Sequence, residues 1–440
     1  MPYWILRDCQ ASLAPALTNL FNRCLQECHV PLCLKVANVV PVPKCNNPAN
    51  VTDFRPISLL PMFSKVLEKI VCSKWLIPCL RDKFGKNQFA YIPGTGKGTV
   101  TALTTMYLHI LQFLDSQSGA VKVVAVDLSK AFHELTHASI LDACISFCLP
   151  KNIVCFLSSY LSDRYQRVHF NDLFSTWQSI SSGVPQGSVI GPILFCMVMD
   201  SLTPLCENSL YFKYADDLTI LHFFRDQSDD NLHAEIKNVI DWSKENKLCV
   251  NSSKSFVMNV ITKKSLMSAN VVSYDNFSLS SSVHILGCHL SNDLKWTKHV
   301  NHVVKKASRR MYLLLCLKRA GCDAKLLFHV YRSCIRSVLL YSFPVFCNMP
   351  QYLKRKLLSV EKRAFKIIES SESDLPTLFS AADRMCEKLF LSVLSDPQHP
   401  LRQFFVERGP RRGSLRRDCF LKRPRTTTKR FFNSFIKYCP

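Results

Sequence analysis

Two carboxylates side by side, Asp216 and Asp217, sit between the apolar runs Leu210-Tyr211-Phe212 and Leu218-Thr219-Ile220-Leu221. Alternating apolar strands on either side predict a hairpin with the acid pair at its turn. Adjacent carboxylates repel, and burial without compensation raises the pKa of at least one. A divalent cation removes that penalty, so an Asp-Asp tip on a rigid hairpin suits a Mg²⁺ platform; a solvated turn is the plainer alternative. A further acid, Asp127, ends the apolar run Val121–Val126, where alone it reads as a helix cap. Lys44 and Arg55 flank a second expected hairpin, either as solvated charges or as two cations that could grip a triphosphate. The glycine-rich loop 88–100 precedes a helix but is no phosphate loop, because Gly98 follows Lys97 where Ser or Thr is required.

These groups need elements to hold them. Residues 1–36 carry Leu13, Ala16, Leu17, Leu20, Phe21 and Leu25 at helical spacing and predict one or two helices. Residues 36–44 predict a short strand, and 53–60 a second that leads into a helix through Lys74. Residues 139–163 read as helical, Tyr165 to Ile180 as hairpin-like, and Val189 to Leu202 as an apolar helix opened by the turn Pro185-Gln186-Gly187. A further helix ends over 242–248, and short strands follow over Ser255–Ile261 and Val283–Leu290. From 298 to 369 the pattern is helical with basic faces; in the last helix Leu353, Leu357, Val360, Ala364 and Ile367 form an apolar stripe. Such faces suit a nucleic-acid backbone. The tail from Arg408 to Arg430 interleaves Arg and Lys with Phe420, Phe431 and Phe432, and reads equally as a nucleic-acid-binding extension or a poorly folded end.

With 440 residues the chain has room for two or three structural units, and 48% hydrophobic against 20% charged residues is a globular composition. A net charge of +23 points to a polyanionic partner. No apolar run reaches the ~18 residues that span a bilayer, and the first residues lack the pattern of a signal peptide. Nucleic acid therefore leads, with an intracellular, nuclear or cytoplasmic site rather than secretion; Lys422-Arg423-Pro424-Arg425 reads as a nuclear signal or a phosphate-binding tail. The 21 cysteines form no C-x₂-C frame and are expected to be reduced and mostly buried. Cys24, Cys28, His29 and Cys33 match no common zinc spacing, and Leu25, Val30 and Leu32 among them read as core.

The order of these pieces resembles the reverse transcriptases of non-LTR (LINE-type) retrotransposons, on their jockey and chicken-repeat side. The phrases that carry it are Val42-Pro43-Lys44, Phe54-Arg55-Pro56-Ile57-Ser58-Leu59, Asp127-Leu128-Ser129-Lys130-Ala131-Phe132, Gly183-Val184-Pro185-Gln186-Gly187-Ser188 and Tyr214-Ala215-Asp216-Asp217. The resemblance implies an α+β, right-hand polymerase: an N-terminal helical extension (1–36), fingers and palm (37–290), a helical thumb (291–370) and a basic C-terminal extension (371–440). Asp127, Asp216 and Asp217 would be catalytic and hold two Mg²⁺ ions, with Mn²⁺ as an alternative, for transfer of dNTPs to a primer 3′-hydroxyl. Lys44 and Arg55 would meet the triphosphate, Phe132 would clash with a 2′-hydroxyl, Gln186 and Gly187 would line the floor beside the incoming base, and Lys254 would protonate pyrophosphate. Lys305, Lys306, Arg309, Arg310, Arg411, Arg412, Arg416 and Arg417 would bind nucleic acid. The implied partners are an RNA template, a DNA primer or nicked target DNA, and dNTPs, with no membrane.

Two positions depart from the family's pattern. His133 stands where a second acid usually follows the aromatic residue, and the glycine loop lacks an Arg near Thr95, which Lys97 would partly replace. The family's full protein also carries an N-terminal endonuclease, and nothing before residue 37 has room for it; the expectation is a reverse transcriptase part of a larger or truncated element. Two other readings stand beside the polymerase. One is a catalytically inactive, element-derived nucleic-acid-binding protein, favoured by His133. The other is an RNA-templated RNA polymerase, against which Phe132 argues.

Overall fold

The structure, a computed structural model, describes residues 3–94, 96–116, 119–129, 131–261, 274, 276–369, 376–407 and 421–439. Its class is α+β. The chain divides into two compact units that alternate along it: residues 1–93, 128–203 and 237–251 form the first, and 94–127, 204–236 and 252–440 the second.

In the first unit the strand Ala37–Pro43 pairs antiparallel with Phe54–Leu59, in a register running from Asn38↔Leu59 to Pro43↔Phe54. Its other edge pairs in parallel with Arg164–Phe170, but only over Ala37–Val39. Pro41 and Pro43 follow where that parallel pairing ends, as expected for residues that cannot donate to a ladder. The helix expected to stop at Lys74 runs on: Met62–Val71 passes through one wide turn, Cys72–Leu76, into Ile77–Leu80. The helical stretch 139–163 is two helices, His137–Ser146 and Lys151–Leu161, parted where Pro150 starts the second. Gly191–Asp200 is buried on nearly every side, which is why its sequence shows no stripe. Glu68 fixes the start of that helix from inside. Its carboxylate, almost wholly buried, accepts from the Val189 and Ile190 amides at 2.5 and 3.2 Å and from Ser64 Oγ at 3.2 Å.

The second unit is built on one sheet whose central strand, Ala120–Val126, lies antiparallel between Asp217–Phe224 and Phe256–Ile261. Ser209–Tyr214 completes the acid hairpin on the far side of Asp217–Phe224. The helix Thr99–Ser116 packs against this sheet through a largely buried surface. The run 283–290, expected as one strand, is a hairpin, Ser282–Ile285 and Cys288–Ser291, because Leu286 and Gly287 both take positive φ (46° and 81°) and reverse the chain. Helices Thr297–Arg319 and Gln351–Ile368 pack together. The apolar stripe of the second ends on Ile368, which is buried, while Ile367 is half-exposed.

The end of the chain is ordered where it is described. Phe431, Phe435, Ile436 and Cys439 are buried, and the Thr427 and Thr428 amides donate to the Asp115 carboxylate at 2.9 and 2.6 Å. The reading of this stretch as a poorly folded end is corrected for 421–439. Arg411, Arg412, Arg416 and Arg417 lie outside the described residues. The cysteines among the described residues are free thiols, but the half-buried and exposed outnumber the buried. Near the N-terminus Leu32 is 52% exposed and Leu34 takes the core position instead. Cys24 is buried, Cys28 half-buried, and Cys33 exposed. Among the described residues no helix is long and apolar enough to cross a membrane.

Candidate active site

The acid hairpin has a two-residue turn, Ala215–Asp216, closed by the pair Tyr214↔Asp217. Ala215 holds φ at 55° and is buried, a left-handed conformation that costs a non-glycine residue about 1 kcal/mol. The tight turn fixes Asp216 at the tip and Asp217 as the first residue of the returning strand. On the neighbouring strand Val126 faces Leu218, so the register continued by one step sets Asp127 opposite Asp217. Three carboxylates from two adjacent connections thus share one end of the sheet. Their mutual field shows in Asp217, which keeps an exposed face: partial loss of solvent around the carboxyl first, then the negative charges of Asp216 and Asp127, push it up to about 6.

Asp127 is steadied from a residue that sequence reasoning passed over. Its amide donates to Ser255 Oγ at 3.1 Å, and Ser255 is fully buried. The available signal was its place directly after the short 3-10 turn Ser252–Lys254. Behind the acids, the sheet's register is locked by a polar chain that no motif announced. Lys122 ion-pairs with Asp230 and hydrogen-bonds the Tyr274 hydroxyl. His222 Nε2 stands 3.4 Å from Asp230, and its Nδ1 lies 2.8 Å from Ser209 Oγ. Burial works to raise the Asp230 carboxyl, but His222 and Lys122 outweigh it and hold it below the usual range. Slipping any one of these three strands would break that chain.

The three aspartates offer only hard oxygen donors, the set a Mg²⁺-type ion selects, and an ion would relieve the repulsion that raises Asp217. In chemistry the residues fit a divalent cation. In geometry the site is open: among the described residues no three His, Cys, Asp or Glu side chains stand ready to hold an ion together. The carboxylates would have to be drawn in. Lys254, in the same unit, is exposed. The tip of the 282–291 hairpin borders the acid hairpin, since Leu286, Tyr214 and Asp217 line one small cavity.

The other residues expected around the nucleotide, Lys44, Arg55, Phe132, Gln186 and Gly187, lie in the first unit. Lys44 and Arg55 sit at the loop end of the hairpin formed by Ala37–Pro43 and Phe54–Leu59, where Arg55 pairs with Val42 and Lys44 Nζ donates to the Thr52 carbonyl at 2.8 Å. Phe132 stacks on Phe195 with ring centroids 4.5 Å apart. The Gln186 carbonyl accepts from the Ser58 amide at 2.8 Å. At Gly187, φ is 123°, and a Cβ would lie 2.8 Å from the Ser58 carbonyl oxygen. The 183–187 turn is docked on the backbone around the departure at 133: the Val184 amide donates to Phe132 O at 2.8 Å and Ser182 Oγ to His133 O at 3.1 Å. Lys305, Lys306, Arg309 and Arg310 are exposed on Thr297–Arg319, opposite its buried Val300, Val303, Ala307 and Met311.

Residues 42–290 match the family described as "Reverse transcriptase (RNA-dependent DNA polymerase)". Residues 296–337 match "Alkylated DNA repair protein alkB homolog 8, N-terminal", a short stretch that carries no argument. Among curated proteins the chain is similar to "Probable RNA-directed DNA polymerase from transposon X-element" of Drosophila melanogaster, 28% identical over 298 residues that cover 65% of this chain and 32% of that protein. It is 24% identical to "Probable RNA-directed DNA polymerase from transposon BS" of the same species, over 80% of this chain and 40% of that one. With "RNA-directed DNA polymerase from mobile element jockey" the figures are 24%, 75% and 37%. The chain thus spans about a third to two fifths of these relatives' length. A solved telomerase from Candida Tropicalis is similar over 84% of this chain and 63% of its own, at 12% identity and a TM-score of 0.43, too slight a likeness to argue from. The family match takes in more than half of the chain, and these curated likenesses fall on transposon polymerases: the chain belongs to the reverse transcriptase (RNA-dependent DNA polymerase) family, on its non-LTR retrotransposon side.

Proposed function

We propose that this chain is an RNA-directed DNA polymerase that extends a primer 3′-hydroxyl with dNTPs on an RNA template, through Asp127, Asp216 and Asp217. The observation that carries this reading is the strand register that brings Asp127, Asp216 and Asp217 to one end of a rigid sheet, where the charges of Asp216 and Asp127 help to push the Asp217 carboxyl up. A carboxyl in that state gains most from a cation. The three aspartates would hold two Mg²⁺ ions, with Mn²⁺ as an alternative, and such ions supply charge neutralisation at the triphosphate and activation of a hydroxyl. Lys44 and Arg55 would bind the triphosphate by charge-assisted hydrogen bonds. Phe132, held by its stack on Phe195, would exclude a 2′-hydroxyl. Gln186 and Gly187 would form the floor beneath the incoming base, and Lys254 would give a proton to pyrophosphate. Lys305, Lys306, Arg309 and Arg310 would track a nucleic-acid backbone. The family's right-hand plan suggests fingers and palm over 37–290, a thumb over 291–370, and extensions on either side. A DNA primer or nicked target DNA would supply the 3′-hydroxyl.

The test is primer extension on an RNA template with Mg²⁺ and dNTPs, comparing the native chain with Asp216→Ala. Extension by the native chain that is lost in the variant is the expected result. A second reading, a nucleic-acid-binding protein without catalysis, is favoured by His133 in place of the family's acid. Template binding without extension in the native chain, and extension restored by His133→Asp, would mark a copy disabled at one position. Silence in both chains with binding retained would overturn the polymerase reading.

A further inference from the structure

The second unit contains a concave basic site that none of the roles above uses. A cavity of about 500 Å³ is lined by Lys295, Trp296, Asn348, Tyr352, Lys429 and Arg430 among others, and none of its lining residues is acidic. That volume falls within the roughly 300–1,000 Å³ of small-molecule sites. It would admit a splayed nucleotide but not a stacked duplex.

Lys295, whose Nζ lies 3.9 Å from the exposed Asp293 carboxylate, lines this concavity together with Lys429 and Arg430, and the surrounding backbone is tied down. Asn348 makes the tie. Its Oδ1 accepts from Trp296 Nε1 at 2.8 Å, and its Nδ2 donates to Tyr107 Oη at 3.1 Å and to the Arg430 carbonyl at 3.4 Å. The bonds from Thr427 and Thr428 to Asp115 anchor the same tail segment just before Lys429. The cations are therefore presented by fixed backbone. Lys295 and Lys429 are exposed and Arg430 half-exposed.

Tyr352 gives the site its second chemistry. The residue is 50% exposed and lines the cavity, and its hydroxyl is pinned 3.0 Å from Thr297 Oγ1. An exposed, oriented ring beside cations is the pairing by which single strands are held, the base stacking on the ring and the phosphate meeting the charges. The long helices Thr297–Arg319 and Gln351–Ile368 also begin at this cavity, and neither start is capped by a side chain. Their dipoles add to the positive field made by the three side chains.

We infer that this cavity, closed on one side by the C-terminal tail, is a binding site for one nucleotide of a single-stranded nucleic acid. The phosphate is held by Lys295, Lys429 and Arg430, and the base lies on Tyr352. The site is separate from the aspartates and requires no polymerisation, so its test is independent of whether the chain extends a primer.

The experiment is fluorescence-anisotropy binding of the full chain to labelled single-stranded RNA and DNA oligonucleotides across a salt series. The triple variant Lys295→Gln/Lys429→Gln/Arg430→Gln is compared with a control that removes three exposed lysines elsewhere, Lys74, Lys151 and Lys244. The triple variant should weaken binding and flatten the log K against log salt slope by roughly 0.7, the share of one phosphate contact on a single strand. Tyr352→Ala should weaken binding about tenfold and Tyr352→Phe much less, since the ring is kept. An oligonucleotide carrying 5-iodouridine should crosslink to Tyr352, and mass spectrometry would locate it. Preference for RNA over DNA would identify a template or transcript, and the reverse a primer or target strand. Unchanged melting of the double variant Lys295→Gln/Lys429→Gln keeps the comparison free of misfolding. Equal losses in the triple variant and the control, or crosslinks confined to other surfaces, would overturn the assignment.

Discussion

Removing one negative charge from the acid hairpin should change how its neighbour titrates. In the metal-free chain the Asp217 carboxyl is raised from 3.8 to about 6, by burial first and then by Asp216 and Asp127. Asp216→Asn deletes the second of these causes and leaves the first, so Asp217 should move down but stay above an ordinary carboxyl. The sign for stability follows from the raised value. The folded chain binds this proton more readily than the unfolded chain, so the group's contribution is present below its unfolded pKa and is lost as pH rises through about 6. Proton and divalent ion compete for the same oxygens. With a carboxyl at about 6, some ten in eleven copies are protonated at pH 5, so Mg²⁺ affinity there should be roughly tenfold weaker than at pH 8. The assay is a ¹³C-carboxyl NMR titration of native chain and Asp216→Asn, with Mg²⁺ calorimetry at pH 5, 6, 7 and 8. If Asp217 titrates as an ordinary carboxyl in the native chain, or Asp216→Asn leaves it where it was, the three charges do not share a field.

Three further outcomes are expected. Ser255→Ala leaves the half-buried Asp127 amide without its acceptor and should cost about 1 kcal/mol in urea unfolding, together with a fall in primer extension that Ser255→Thr restores; unaltered extension in Ser255→Ala would show that this bond positions nothing. Glu68→Ala strips three hydrogen bonds from the Val189, Ile190 and Ser64 groups and should destabilise the chain by about 3 kcal/mol, whereas a loss under 1 kcal/mol, measured the same way, would count against a buried cap. At Asp115, burial works to raise the carboxyl, but the bonds from Thr428 and Thr427 hold it below the ordinary value; its contribution is present above the unfolded pKa of about 3.9 and lost as pH falls through the folded one. Limited proteolysis should therefore free the tail in acid, and at neutral pH in Asp115→Ala; a tail equally resistant in both chains would contradict the anchor.

The sequence by itself determined what short-range patterning controls. The alternation around Asp216-Asp217 specified the hairpin, the apolar run 121–126 specified the strand that delivers Asp127, and the ordered phrases from Val42 to Asp217 carried the family. Local backbone geometry was less legible. The reversal at Leu286–Gly287 turned one expected strand into two, because a single glycine beside a residue at positive φ suffices and apolar spacing does not register it. Only the tertiary structure decided the long-range partners. Ser255 meets Asp127 across 128 positions, Thr427 meets Asp115 across 312, and Lys122, His222 and Asp230 converge beneath the sheet. A serine, a threonine or a lysine reads the same in sequence whether it is solvated or bonded. Its role is set by burial, and burial is fixed by which strands and helices pack together, a choice that depends on the whole chain rather than on any window of it.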